Sequence, residues 1–396
     1  NMLADALAPH GGIVMWRAFV YSNEVPTDRV KQAADEFQPL DGTFRDNVLI
    51  QVKNGPLDFQ PREPFHPMFG RMPRTPLLLE LQITKEYLGQ DTHLVFLAPL
   101  WEEVLRADTY SHGPGSTVDR EIRGVAGVAN VGTDRDWSGS DFNQANWYAF
   151  GRLAWDPLVS SAAIAEEWTR MTFSNDGGVV RPVVAMMLAS REAAVNYMTP
   201  LGLAHLMARG HHYGPGPWVS GGRADQTSVY FHRADSVGLG FDRTPRGGSD
   251  AVHQYFPPLR ERFASRDSVP EALLLWFHHV GWQERLRPGG GRPLWEELLA
   301  HYQAGVDTVR WMQRTWDGLE ARVDADRFRR VQGVLRIQEA EARWWRDASV
   351  LYWQSFSHLP LPPGYEQPAH DLTWYRQLRC PPDPRKARCD AVTGVP

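Results

Sequence analysis

The chain has 396 residues, enough for two or three domains and a large core. A hydrophobic fraction of 42% and a charged fraction of 22% are those of a globular protein and exclude a disordered or collagen-like one. A net charge of −5 gives no electrostatic case for nucleic acid or an anionic membrane, and no apolar run approaches the roughly eighteen residues a membrane-spanning helix needs.

The N-terminal Asn1-Met2 leads straight into a helix-like stretch, without the charged and apolar regions of a signal peptide, so the chain is expected to begin inside a larger architecture. Apolar strand-like runs follow at 12–21, 47–53, 77–83 and 123–131, the second closing in the turn Asn54-Gly55-Pro56. Helical patterns at 27–37 and 99–107 lie between them. Near-continuous apolar strands separated by helices predict parallel βα units, and the absence of a Gly-x-Gly-x-x-Gly or P-loop after any strand favours a barrel over a nucleotide-binding sheet. After Asp156-Pro157 helices dominate: 160–173, 183–197, and a pair spanning 294–356 that turns at Asp324-Ala325-Asp326. Residues 210–258 form a loop-rich insert full of Gly, His and aromatics, and from His358 onward Pro is frequent and an extended, partly mobile tail is predicted. The fold class expected is α/β plus all-α. Its predicted units are a barrel portion over 1–155, a helical domain over 156–359 and a Pro-rich tail over 360–396.

In a parallel barrel the site lies at the C-terminal ends of the strands. Arg17, Lys53, Asp58, Lys85, Glu86, Asn130 and Asp134 fall there, which suits acid/base chemistry on an anionic substrate. A solvated salt-bridge network at the rim fits the same spacing, and spacing leaves both open. Glu80, inside the third strand, reads as a structural hydrogen-bonding group. His205, His211, His212, His232, His278 and His279 raise a metal site, but adjacent histidines rarely share one metal and no His-Glu-x-x-His is present, so none is expected, nor any cofactor. Two cysteines, Cys380 and Cys389, build neither a disulfide framework nor a zinc finger. The Gly210-His211-His212-Tyr213-Gly214-Pro215-Gly216-Pro217-Trp218 run reads as a structured loop presenting an aromatic. Tryptophan is abundant, 16 beside 12 Tyr, and suits both core packing and stacking on sugar rings.

Longer motifs then stand out. Lys53-Asn54-Gly55-Pro56-Leu57-Asp58-Phe59-Gln60-Pro61-Arg62-Glu63-Pro64-Phe65 resembles a signature of the α-glucuronidases of glycoside hydrolase family 67. So do Leu81-Gln82-Ile83-Thr84-Lys85-Glu86-Tyr87-Leu88, Ala126-Gly127-Val128-Ala129-Asn130-Val131-Gly132 and Asn146-Trp147-Tyr148-Ala149-Phe150-Gly151-Arg152-Leu153-Ala154-Trp155. The Gly210 to Trp218 loop and Arg310-Trp311-Met312-Gln313 with Trp316-Asp317 match as well, and the resemblance runs to about residue 360.

The resemblance implies removal of α-1,2-linked (4-O-methyl-)D-glucuronic acid from xylooligosaccharides, with inversion. It implies a β-sandwich, a (β/α)8 barrel and a helical domain that helps form the pocket and a homodimer. Carried over by position, Asp58 and Glu86 fall on carboxylates that activate the hydrolytic water, Arg17 and Lys53 on cations that contact the uronate, and Trp218 on a pocket-lining aromatic. An inverting glycosidase separates base and acid by roughly 6.5–9.5 Å, leaving room for a water. The family's acid lies on an earlier strand, before the position matching Arg17, so this chain is expected to hold strands five to eight and to be incompetent alone. Aldouronic acids are the expected partners, with no nucleic acid and no membrane, and a bacterial-type cytoplasm is the compartment the family suggests. Rival expectations are a non-catalytic sugar-binding fragment and a dimerising interaction module.

Overall fold

The computed structural model describes residues 1–20, 27–130, 138–210, 212–286, 291–378, 380 and 389–394. Four strands, β1 Val14–Arg17, β2 Val48–Lys53, β3 Leu77–Gln82 and β4 Ile122–Val128, pair in chain order as one parallel sheet. Register aligns Arg17 with Gln51, Lys53 with Glu80 and Gln82 with Val128. Strand side chains alternate between faces. Val48, Ile50 and Val52, with Leu77, Leu79 and Leu81, are buried on one face, whereas Gln51, Lys53, Glu80 and Gln82 share the other. The edge strand β1 leaves Met15 and Trp16 more than half exposed.

Helices α1 Gln32–Phe37 and α2 Ala98–Leu105 connect strands, and α3 Asp141–Trp155 follows β4. Then come α4 Ser161–Thr172, α5 Gly177–Met198, α6 Leu294–Asp317 and α7 Ala325–Ser357. The last two are the predicted hairpin, with Asp324 capping α7 by accepting the Arg327 N–H at 3.0 Å. Their seam buries Leu298, Tyr302, Val306, Val309, Met312 and Trp316 against Phe328, Val331 and Leu335. No helix among the described residues is long and apolar enough to cross a membrane.

Two expectations are corrected. Helix α5 starts before Pro182 rather than after it, because Asp176 caps the Gly178 N–H at 2.8 Å and the proline sits close enough to the start that little of the ladder is lost. The tail is not wholly extended. Helix α8 Leu372–Gln377 docks Tyr375 on α7, its hydroxyl donating to Asp347 at 3.1 Å, and Cys380 and Cys389 join in a disulfide buried near Trp344. Glu366 holds the same segment by accepting from Arg310 and Arg346, both at 2.9 Å.

Candidate active site

The turn after β2 is assembled around a buried carboxyl. Glu63 accepts the backbone N–H groups of Leu57 at 2.6 Å, Asp58 at 3.1 Å and Gln60 at 2.7 Å. Burial outweighs these bonds and pushes Glu63 up to about 7. Gly55 permits the arrangement, since a Cβ there would lie 2.5 Å from the Glu63 side chain. Gly55→Ala is therefore expected to displace Glu63 and loosen the turn, costing about 1–3 kcal/mol. Urea unfolding checks the loss, and a shift of the Leu57, Asp58 and Gln60 amide resonances locates it.

The turn aims Asp58 at Lys53. Lys53 Nζ donates to Asp58 Oδ1 at 2.5 Å, Tyr87 Oη donates to Asp58 Oδ2 at 2.5 Å, and Lys53 Nζ also lies 4.0 Å from the centre of the Phe19 ring. Burial alone would raise Asp58, but the Lys53 charge and the Lys53 and Tyr87 hydrogen bonds hold it below the ordinary carboxylate range. Lys53 is lowered by burial in spite of Asp58.

Beyond β3, Glu86 is held at both oxygens. Gln82 Nε2 donates to Oε2 at 3.0 Å, while His212 Nδ1 lies 2.8 Å from Oε1. The His212 ring stacks on Tyr87 with centroids 4.8 Å apart and planes 24° apart. Asp58, Tyr87, His212 and Glu86 thus form one continuous contact chain across the ends of two neighbouring strands. A cavity of about 290 Å³ opens beside it, lined by Asp58, Tyr87, His205 and His212 and by Arg29, Arg209 and Arg223. A second cavity, about 260 Å³, is lined by Glu86 together with Lys85, Asn130 and Trp147. Lys85 is buried, donates to the His93 carbonyl, and is pulled down to about 7 by that burial.

The remaining predicted residues are placed as follows. Arg17 Nε and Nη2 grip Glu80 at 2.8 and 2.5 Å, and Gln51 donates to the same carboxylate at 2.6 Å, which gives Glu80 the hydrogen-bonded role expected of it. The Arg17 side chain is nevertheless 43% exposed, so one edge of the guanidinium is accessible. Trp218 is half-buried and packs edge-on against Tyr352 at 6.2 Å, while the adjacent Val219 lines the larger cavity. Asp134 and His211 lie outside the described residues. Of the histidines considered for metal, His232 Nε2 donates to the Pro217 carbonyl and His278 Nε2 to that of Phe263, both at 2.9 Å. A His and carboxylate grouping occurs elsewhere, at Glu271, Glu297 and His301, with its ligand atoms within 4.8 Å of one another.

Comparison with known proteins decides the family. Residues 1–137 match the model described as Glycosyl hydrolase family 67 middle domain, and residues 138–366 match Glycosyl hydrolase family 67 C-terminus. The chain belongs to glycoside hydrolase family 67. An alpha-glucuronidase of Hypocrea jecorina is 39% identical over 91% of this chain and 44% of its own length. A probable alpha-glucuronidase A of Aspergillus flavus is 40% identical over 89% of this chain and 43% of its own length. Alpha-glucuronidase A of Emericella nidulans is 39% identical over 91% and 44%. The chain therefore spans about 44% of the length of these relatives.

Within this family 67 chain, sequence reasoning gave no role to Tyr87, Glu63 or the three cavity arginines, and weighed His212 as a metal ligand and as part of a structured loop but not as a partner of Glu86. A tyrosine directly after a candidate carboxylate was a usable signal. Nothing local marked the arginines, of which Arg223 lies in the loop-rich insert and Arg209 directly before it.

Proposed function

We propose that this chain is the base-bearing part of an inverting α-glucuronidase that removes α-1,2-linked (4-O-methyl-)D-glucuronic acid from xylooligosaccharides. Its four parallel strands are taken as one half of a (β/α)8 barrel, and the helical part as a contributor to the pocket and to a homodimer. The observation that carries the reading is the contact chain from Asp58 through Tyr87 and His212 to Glu86. It supports two carboxylates acting on one water, with Asp58 kept ionised by Lys53 and Glu86 oriented by Gln82 and His212. One carboxylate takes the proton of that water as its oxygen attacks the anomeric carbon. An acid from outside the described set protonates the departing xylose oxygen.

The uronate would be met by cations. Lys53 gives one N–H to Asp58 and another to the Leu57 carbonyl at 3.4 Å, which leaves a third for a ligand oxygen. Arg17 offers its accessible edge beside Phe19, and Trp218 would border the sugar from the helical side. Arg17→Ala should then weaken uronate binding by about 1.5–3 kcal/mol and a neutral glucosyl analogue much less. Equal losses for both ligands would assign Arg17 to the neutralisation of Glu80 alone. The reaction itself is tested by NMR on a protein containing this chain, incubated with aldouronic acid. First release of the β-anomer of glucuronic acid is expected, while first release of the α-anomer, or binding without release, would overturn the proposal.

A further inference from the structure

Resting on the reading of Glu86 as a water-activating carboxylate, we propose that His212 is the positioning residue for Glu86, and that the helical part of the chain holds His212 in place through a buried network centred on Glu341. A group more than a hundred residues away in sequence would thereby fix the orientation of a base carried on a strand end.

The contact is specific in its atoms. Glu86 Oε2 is fixed by Gln82, whose Oε1 also accepts the Glu86 backbone N–H at 3.1 Å. That clamp comes from the same βα turn and leaves the carboxyl plane free to rotate about one hydrogen bond. His212, arriving from another segment and 2.8 Å from Oε1, supplies the second point that fixes the plane.

The loop spends conformational energy to make this contact. His212 sits at φ +56°, in the left-handed region that a non-glycine residue rarely occupies. Such a conformation persists only where neighbours over-determine it, and here they do. On one side the ring lies flat on Tyr87. On the other, the next residue, Tyr213, donates its hydroxyl to Glu341 Oε1 on α7, and Gly214 is pressed so close to Trp344 that a Cβ would stand 2.1 Å from the indole. Glu341 is in turn bonded through Oε2 to His93 Nε2 at 2.6 Å, and His93 Nδ1 to the Tyr197 hydroxyl of α5 at 2.9 Å. These groups are buried, so the anchor is stiff and dry.

Other charged groups surround the pair and stay constant in the test. Lys85 and Asp91 stand on the side of the second cavity, Asp58 beyond Tyr87, His205 with its ring 6.3 Å from that of His212, and Arg209 along the larger cavity.

The test needs no substrate, which separates it from the glucuronidase reading. The 396-residue chain is labelled with ¹³C at glutamate carboxyls, and the position and width of the Glu86 signal, assigned by its loss in Glu86→Gln, are read at neutral pH. His212→Gly removes the ring and relieves the backbone. His212→Asn tolerates the left-handed conformation and puts an amide N–H near the place of Nδ1. Tyr213→Phe cuts the anchor at Glu341 while leaving the ring of His212. Expected are a displaced and broadened Glu86 carboxyl signal in His212→Gly, a signal near wild type in His212→Asn, and an intermediate change in Tyr213→Phe. An unchanged Glu86 signal in His212→Gly, or an Asn variant that behaves like the Gly one, would overturn the proposal. Should the Gly variant fail to fold, the Asn and Phe variants carry the same comparison, and a Tyr213→Phe signal equal to wild type would remove the role of the network. In an active protein the Gly variant should lose about a hundredfold in kcat with KM little changed. If Glu86→Gln keeps full turnover while the Glu86 signal changes as expected in the His212 variants, the glucuronidase role of Glu86 fails and its coupling to His212 stands.

Discussion

Asp58→Asn or Glu86→Gln, in a protein that contains this chain and hydrolyses aldouronic acids, should lower turnover by about 10²–10⁴-fold while leaving substrate affinity nearly unchanged. A carboxylate that accepts a proton from water acts in the transition state, so its loss appears in kcat rather than in binding. The pH dependence follows from the environment of Asp58. Burial pushes its pKa up, but Lys53 and Tyr87 overcome burial and hold it down. The ionised base therefore persists on acidification, and the limb of activity that reports Asp58 falls only as pH drops below its ordinary value of about 4. Lys53→Met removes the restraining charge and leaves the burial, so that limb should move to higher pH. A limb that stays in place would mean that Lys53 serves the substrate and not Asp58. Turnover preserved in Asp58→Asn would reduce Asp58 to an ion-pair partner of Lys53.

Arg243→Met should destabilise the fold by about 3–5 kcal/mol, the usual result of removing one partner of a buried ion pair. Arg243 and Asp28 are 2% and 1% exposed and meet through Nε and Oδ2 at 2.8 Å. Ser249 Oγ donates to the same oxygen at 2.6 Å, and Arg243 also donates to the Trp276 carbonyl. Without the guanidinium, Asp28 keeps a buried negative charge that, among the described residues, the serine hydroxyl and the nearby Val30 amide are left to answer. Urea unfolding at neutral pH measures the change. A double variant, Asp28→Asn with Arg243→Met, should recover part of the loss, because the uncompensated charge is then gone. A single variant as stable as wild type would mean that the pair contributes nothing net.

Much of the fold was legible because its elements carry their own periodicity. The first three strands lie within the apolar runs that predicted them and β4 begins one residue before its run, while the α6–α7 hairpin follows from residues recurring every three or four positions. Helix α3 was harder to see, since its buried face includes Asn143 and Asn146, and Asn146 spends its amide on the backbone of Val95 and Leu97 instead of on the pattern. The tail was misread because its order comes from distant partners, Glu366 on Arg310 and Tyr375 on Asp347, that no local rule announces. The site divides the same way. Asp58 and Glu86 stand directly after strands and inside long motifs, so position and resemblance both pointed to them. Tyr87 and His212 acquire their roles from contacts with residues 29 and 126 positions away, and Glu80 claims Arg17 across an intervening strand. Those are consequences of register and docking, which the order of residues encodes only through the completed fold.

The bonds between residues 28–35 and 225–254 have a kinetic consequence. Asp28 reaches Arg243, Arg29 reaches Asp225, and Lys31 reaches the Ser249 carbonyl, at separations of 215, 196 and 218 residues. Closing a loop that long carries its entropy cost before any contact repays it, whereas the α6–α7 hairpin closes over a turn of a few residues. Helical pairs should therefore assemble early, and the 225–254 segment should seat onto the 28–35 stretch late. Contacts made after the rate-limiting step leave the folding rate alone and govern how fast the native state comes apart. Arg243→Met should thus accelerate unfolding with little change in refolding, and the larger cavity, walled in part by that late segment, would be the last feature to form and the first to be lost.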